Sequence, residues 1–103
     1  MDFLKHIINL IEDGEDLIKN KYTNQFSIYY YVDSEKFRSW KTRSMNFIKN
    51  IDNDVYFEEF KSEVEDNYAS DAESGLGILK AIEIEFNNDT LFSKGKKYLN
   101  SYN

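Results

Sequence analysis

The run SDAESGLGILKAIEIEF, residues 70–86, decides the fold. Ala72, Gly75, Leu79, Ile82 and Phe86 recur in it at alternating steps of three and four. On an α-helix that spacing lines them along one narrow seam, the pattern by which helices pack on helices. Ser70-Asp71-Ala72-Glu73 has the form of a capping box, the serine bonding forward and the glutamate reaching back, so the helix is expected to begin there. Asn87-Asn88-Asp89 is expected to end it. Gly75 lies on the seam and predicts close approach of another helix; Gly77 faces elsewhere, without such a reason.

Helical periodicity continues outward from this run. A first helix is expected from about Asp2 to Asn20, with Phe3, Leu4, Ile7, Ile8, Leu10, Ile11, Leu17 and Ile18 as its apolar stripe and Asp2 as its N-cap. Gly14 interrupts that stripe and predicts either close packing or a bend. A second helix opens at Asp33 or Ser34 and gathers Phe37, Trp40, Phe47, Ile48 and Ile51 on one face. Asp52-Asn53-Asp54 breaks the chain and caps a third helix, from about Val55 to Tyr68, whose apolar face is Tyr56, Phe57, Phe60, Val64 and Tyr68. Leu91, Phe92, Tyr98, Leu99 and Tyr102 predict a short terminal helix, weakened by Gly95.

Residues 22–32 behave differently. Phe26, Ile28, Tyr30 and Val32 alternate as in a strand, yet a lone strand leaves its backbone groups unpaired. Pairing with a second chain or with an unrecognised short segment would satisfy them; an extended aromatic connector over the helices is expected, with a helical course as the other option. The fold class is therefore all-α, a compact bundle of four to five helices with one extended aromatic segment at about 22–32. With 103 residues, a single domain spanning 1–103 is expected.

Composition narrows the chemistry. Cysteine and proline are absent, which removes disulfides, thiolate nucleophiles and cysteine-bound metals. The net charge is −6, which argues against direct nucleic-acid binding. That charge is local: between Asp52 and Glu73 stand nine acids and one base, Lys61. Acids at helix N-termini and on solvated faces explain part of this excess. Asp52-Asn53-Asp54 resembles the start of a calcium loop, but Phe57 occupies the position where the turn needs glycine, so a helix cap is expected instead. His6 is the only histidine and is expected at the surface, with no second ligand for a metal. Glu59 and Glu63, like Glu12 and Asp16, share a helix face but lie outside the apolar stripes, where they are expected to be solvated and without the buried cleft that acid–base work needs. Ser74-Gly75-Leu76-Gly77 lacks the rest of a phosphate-loop pattern. Lys36, Arg38, Lys41 and Arg43 lie near Tyr29 to Tyr31 and Trp40, an arrangement that could stack a base. Burial of Trp40 with Phe37 and Phe47 is the favoured reading of those residues. No catalytic, cofactor or metal residues are expected.

The order Phe37-x-x-Trp40, Phe47-Ile48, Tyr56-x-x-x-Phe60 and Gly75-Leu76-Gly77-Ile78-Leu79-Lys80-Ala81-Ile82 resembles the small all-helical accessory modules of bacterial defence and stress proteins. The similarity covers about residues 34–88 and implies a non-catalytic accessory, sensing or oligomerising role. Eleven asparagines with many lysines and isoleucines suit an AT-rich coding genome, bacterial or phage. The opening apolar run is too short for a membrane span and is followed by no cleavage pattern, so a cytoplasmic location and no membrane partner are expected.

Two surfaces are expected to meet a partner: Tyr29, Tyr30 and Tyr31 in the aromatic segment, and Glu58, Glu59, Glu63 and Glu65 in the acidic stretch. The expected function is a non-enzymatic intracellular protein-interaction or regulatory domain, with a protein partner that has a basic surface and with homodimerisation as an option. The alternative is an acidic inhibitor, an immunity-type protein or nucleic-acid mimic that blocks a basic site on a nuclease or other effector.

Overall fold

Three helices start on side chains that the sequence supplies for the purpose. A helix leaves its first backbone N–H groups without partners, and a short polar side chain just ahead can accept from one of them. In the computed structural model, which describes residues 2–90, Asp2 accepts from the backbone N–H of Lys5 at 3.1 Å and opens α1, Phe3–Lys19. Asp33 accepts from Lys36 N–H at 2.8 Å and opens α2, Ser34–Asn50. Asn53 accepts from Tyr56 N–H at 2.9 Å and opens α3, Asp54–Glu63. The fourth helix, α4, spans Ala69–Asn87 and has no side-chain cap. The architecture is an all-α bundle of four helices among the described residues. The terminal helix expected around Leu91 to Tyr102 lies outside them.

The bundle is built around Trp40. Its ring is 1% exposed and packs on Phe37 and Phe60, with centroids 6.2 and 5.8 Å away. The indole N–H donates to the Leu10 carbonyl at 2.8 Å, so the one polar atom of the side chain is satisfied inside the core. Such close approach to a helix backbone requires glycine on both neighbours. A Cβ at Gly14 of α1 would stand 2.9 Å from the Trp40 ring, and one at Gly75 of α4 would stand 2.8 Å from it. Gly14 therefore serves close packing, and α1 runs through it unbroken. Around the indole, Ile7, Ile48, Phe60, Val64, Leu79 and Ile82 are fully buried. On the seam of α4, Ala72, Gly75, Leu79 and Ile82 face the core as their spacing requires. Phe86 stacks on Phe3 at 4.0 Å at the edge of the core. Gly77 has nothing within reach of a Cβ and is exposed.

Two expected boundaries are corrected. The third helix stops at Glu63, not Tyr68: Val64 leaves helical geometry with φ −112° and ψ 81° and enters the core. The capping box at Ser70 to Glu73 is not formed, because α4 starts earlier, at Ala69 after Tyr68, and Ser70 is already inside it. The cause is tertiary. Residues 30–32 pair with 67–69 through Ala69 N–H to the Tyr30 carbonyl at 2.9 Å and Val32 N–H to the Asn67 carbonyl at 2.9 Å. A carbonyl of the aromatic segment thus satisfies the first N–H of α4. The Asp71 carboxylate instead accepts from the N–H groups of Glu65 and Asp66, at 3.1 and 2.9 Å, and holds the turn that precedes the helix.

The aromatic segment is likewise not a simple extended connector. Tyr22 and Tyr31 exchange both backbone hydrogen bonds, at 2.8 and 2.7 Å, and Tyr31 forms a second antiparallel bridge with Tyr68. The short partner that the alternation called for is partly the segment itself, folded back, and partly residues 67–69. Val32 is fully buried, while Phe26 and Ile28, on the same side of the alternation, are left in solvent.

Candidate protein-docking surface

Backbone pairing between Tyr22 and Tyr31 closes a loop whose polar groups are largely bonded to one another. Asn24 Oδ1 accepts from Phe26 N–H at 2.9 Å, and Ser27 N–H donates to the Asn24 carbonyl at 3.2 Å, which makes a turn at residues 24–27. Ser27 Oγ accepts from Tyr29 N–H at 3.0 Å, and the Thr23 hydroxyl reaches across the loop to donate to the Tyr29 carbonyl at 2.7 Å. These are the local side-chain bonds by which Asn, Ser and Thr hold a turn without a strand or helix. The tip so formed presents Phe26 and Ile28, each 89% exposed. All ten residues from Tyr22 to Tyr31 are uncharged, in a chain of which 31% is charged.

Behind the tip lies a row of tyrosines. Tyr22 meets Tyr31 with ring centroids 6.0 Å apart, Tyr31 meets Tyr68 at 5.3 Å, and Tyr68 meets Tyr29 edge-on at 5.5 Å. Rings this close contact one another and leave no cage for a cation between them. Tyr30 turns to the other side, where the Lys21 ammonium sits 5.0 Å from its ring. The Asn67 amide donates to the Val32 carbonyl at 2.8 Å and ties the base of the loop to the start of α4.

Of the expected partner residues, Tyr29 and Tyr31 are brought together through Tyr68, and Tyr30 remains exposed beside them. Glu65 enters the same neighbourhood through the 64–68 turn, which pairs with residues 30–32. Glu58, Glu59 and Glu63 are exposed on α3, apart from the loop pairing. None of these four glutamates forms an ion pair among the described residues, where the salt bridges are Arg43–Asp13 at 2.9 Å and Lys80–Glu15 at 3.3 Å. Of the basic group and its rings, Trp40 is core and offers no face on which to stack a base, Arg43 is held by Asp13, and Lys41 donates to the Glu65 carbonyl at 3.3 Å. His6 is exposed, and Asn53 uses its side chain as a cap. Among the described residues no three His, Cys, Asp or Glu side chains gather as they would to hold a metal ion, and no helix is long and apolar enough to cross a membrane.

Phe26 and Ile28, the most exposed apolar side chains of the surface, are the residues that sequence reasoning missed. Alternation grouped them with Tyr30 and Val32 on one side of the segment and marked neither as exposed. Asn24 and Ser27 carried the opposite signal, since both are turn formers and a turn at 24–27 breaks the alternation. Outside the loop, the environment of Tyr56 perturbs its titration. Tyr56 of α3 is half-buried and donates a short hydrogen bond to the Glu85 carboxylate of α4. Burial, then that hydrogen bond and the negative charges of Glu85 and Glu59, push its hydroxyl well above the usual tyrosine range. No known family, curated protein or solved structure matches the chain.

Proposed function

We propose that this chain is a non-enzymatic protein-interaction domain that docks its 22–31 loop into an apolar pocket on a protein partner. The observation that carries this reading is the exposure of Phe26 and Ile28 at the tip of a loop held in shape by its own hydrogen bonds. Burying each side chain on a partner would contribute roughly 1.5–3 kcal/mol. A loop already ordered gives up little conformational freedom on docking, so more of that gain is retained as affinity. Tyr29, Tyr30 and Tyr31 supply the amphipathic rim that protein interfaces favour. An accessory or regulatory role beside a separate effector, in the cytoplasm of a bacterium or in a phage-infected cell, accords with the resemblance over residues 34–88 and with the cysteine-free composition.

The test is capture of partners from a lysate of the source organism by the wild-type chain and by a Phe26→Ser/Ile28→Ser variant. Both positions are solvent-exposed, so the variant is expected to fold and to lose the partner. Equal capture by the two proteins would remove the loop from the interface.

A second reading rests on a different observation, the four exposed carboxylates Glu58, Glu59, Glu63 and Glu65 without ion-pair partners among the described residues. In that reading α3 and the following turn block a basic groove, as an acidic inhibitor or nucleic-acid mimic would. Such binding weakens steeply with salt. Reversal of the four charges to lysine would abolish it.

A further inference from the structure

A cleft of about 340 Å³ lies between α1 and α2 and is lined by His6, Asn9, Leu10, Arg43, Asn46, Phe47 and Asn50. Leu10 and Phe47 belong to the core and form its floor. Asn46 and Asn50 stand one turn apart on α2, opposite His6 and Asn9 on α1. Among the described residues the side chains of His6, Asn9, Asn46 and Asn50 make no hydrogen bond, so the walls hold unused donors and acceptors above an apolar base. Its one strong charge, Arg43, is neutralised by Asp13 at 2.9 Å. The cleft is thus electrically quiet on a molecule whose net charge is −6.

The loop of residues 22–31 has the matching character. It bears no charge, presents Phe26 and Ile28, and carries the amides of Asn24 and Gln25 beside them. It joins the C-terminus of α1 to the N-terminus of α2, whereas the cleft is walled by the first half of α1 and the second half of α2. At 1.5 Å per helical residue the two features are separated by on the order of 15 Å along the helix pair, so one chain cannot fill its own cleft with its own loop.

From this match we infer that the occupant of the cleft is the loop of a second copy, with Phe26 seated over Leu10 and Phe47. The Asn9, Asn46 and Asn50 amides then bond the rim of the incoming loop. The inference rests on the docking-loop reading above and names its partner. A cavity of about 150 Å³ already accepts a benzene-sized ring, so one aromatic side chain fits this cleft. The contact is small against the 1,200–2,000 Å² or so buried by stable dimers, so association is weak and concentration-dependent. It is also head-to-tail, because loop and cleft are different surfaces, and copies add in a row or close a ring. Two copies of charge −6 repel each other everywhere except at such neutral patches, so screening by salt strengthens the association.

Sedimentation of the full chain over a range of concentrations, at low and high salt, tests this. The expected result is a mass that grows past two chains at high concentration and grows further with salt. Phe26→Ser/Ile28→Ser removes the loop contact, and Asn46→Arg/Asn50→Arg fills the cleft with like-charged side chains at exposed positions. Each variant alone is expected to be monomeric, and their equimolar mixture to form a dimer that grows no further, since one intact loop meets one intact cleft. A mixture that stays monomeric, or a wild type that is monomeric throughout, overturns the second-copy assignment. If the wild type is monomeric yet loses a foreign partner on Phe26→Ser/Ile28→Ser, the docking loop stands and only its occupant was misassigned. If that variant alters neither self-association nor capture, both readings fall.

Discussion

At the scale of single residues, the structure turns on how closely Trp40 approaches two helix backbones. A methyl group at Gly14 or Gly75 would meet its ring below 3.0 Å, and the ring is 1% exposed and packed on Phe60 and Phe37, which leaves it little room to shift. Gly14→Ala and Gly75→Ala are each expected to destabilise the fold by about 1–3 kcal/mol, the usual cost of overpacking. Gly77→Ala meets nothing and is expected to stabilise it by up to about 1 kcal/mol through helix propensity. Urea midpoints of the three variants check the order. Gly75 was legible in the sequence because the apolar seam passes through it. Gly14 was readable only as a packing site or a bend, since the side chain that demands a glycine there comes from a helix 26 positions away in the chain.

At the scale of elements, local sequence signals held wherever no neighbour competed for the same backbone groups. Asp2, Asp33 and Asn53 cap the helices they precede. Ser70 does not, because pairing of residues 67–69 with 30–32 starts α4 two residues earlier, with Tyr68 rather than Ser70 at the N-cap, and gives Asp71 a different task. Ser70→Ala is therefore expected to change stability by no more than about 0.5 kcal/mol, as exposed surface changes do. Asp71→Ala removes two backbone hydrogen bonds to a carboxylate and is expected to cost about 1–3 kcal/mol. Thermal unfolding of the pair separates the observed arrangement from a capping box, in which Ser70 would be the costly position.

The α3–α4 contact adds a pH dependence. The Tyr56 hydroxyl, raised above the ordinary tyrosine value of 10.0, keeps its proton in the folded state after the unfolded chain has lost it. Its contribution to stability is full below about pH 10 and is lost as pH rises through the raised value. Stability is thus expected to fall on the alkaline side, and Tyr56→Phe to flatten that fall while leaving the acid limb in place. Denaturant titrations of both proteins across the alkaline range measure it.

At the scale of the whole molecule, the all-α class and most helix positions could be read from apolar spacing, and the placement of the aromatic segment could not. Its rings read as connector or strand because alternation is a one-dimensional signal. What overrides alternation is a turn at Asn24 to Ser27 together with backbone pairing to residues 67–69, more than 30 positions away. That override leaves Val32 in the core and sends Phe26 and Ile28 into solvent. The acidic excess is a separate feature of the surface: Glu58, Glu59 and Glu63 lie along α3, and Glu65 alone reaches the turn beside the loop.

The salt dependence of the complex with the captured partner discriminates most directly between the loop and the acidic helix as the contact. If the loop makes the contact, the dissociation constant is expected to stay level or fall as salt rises, and Phe26→Ser/Ile28→Ser to abolish binding at every salt concentration. A dissociation constant that climbs steeply with salt, with binding abolished by charge reversal at Glu58, Glu59, Glu63 and Glu65 but untouched by the loop variant, would contradict it.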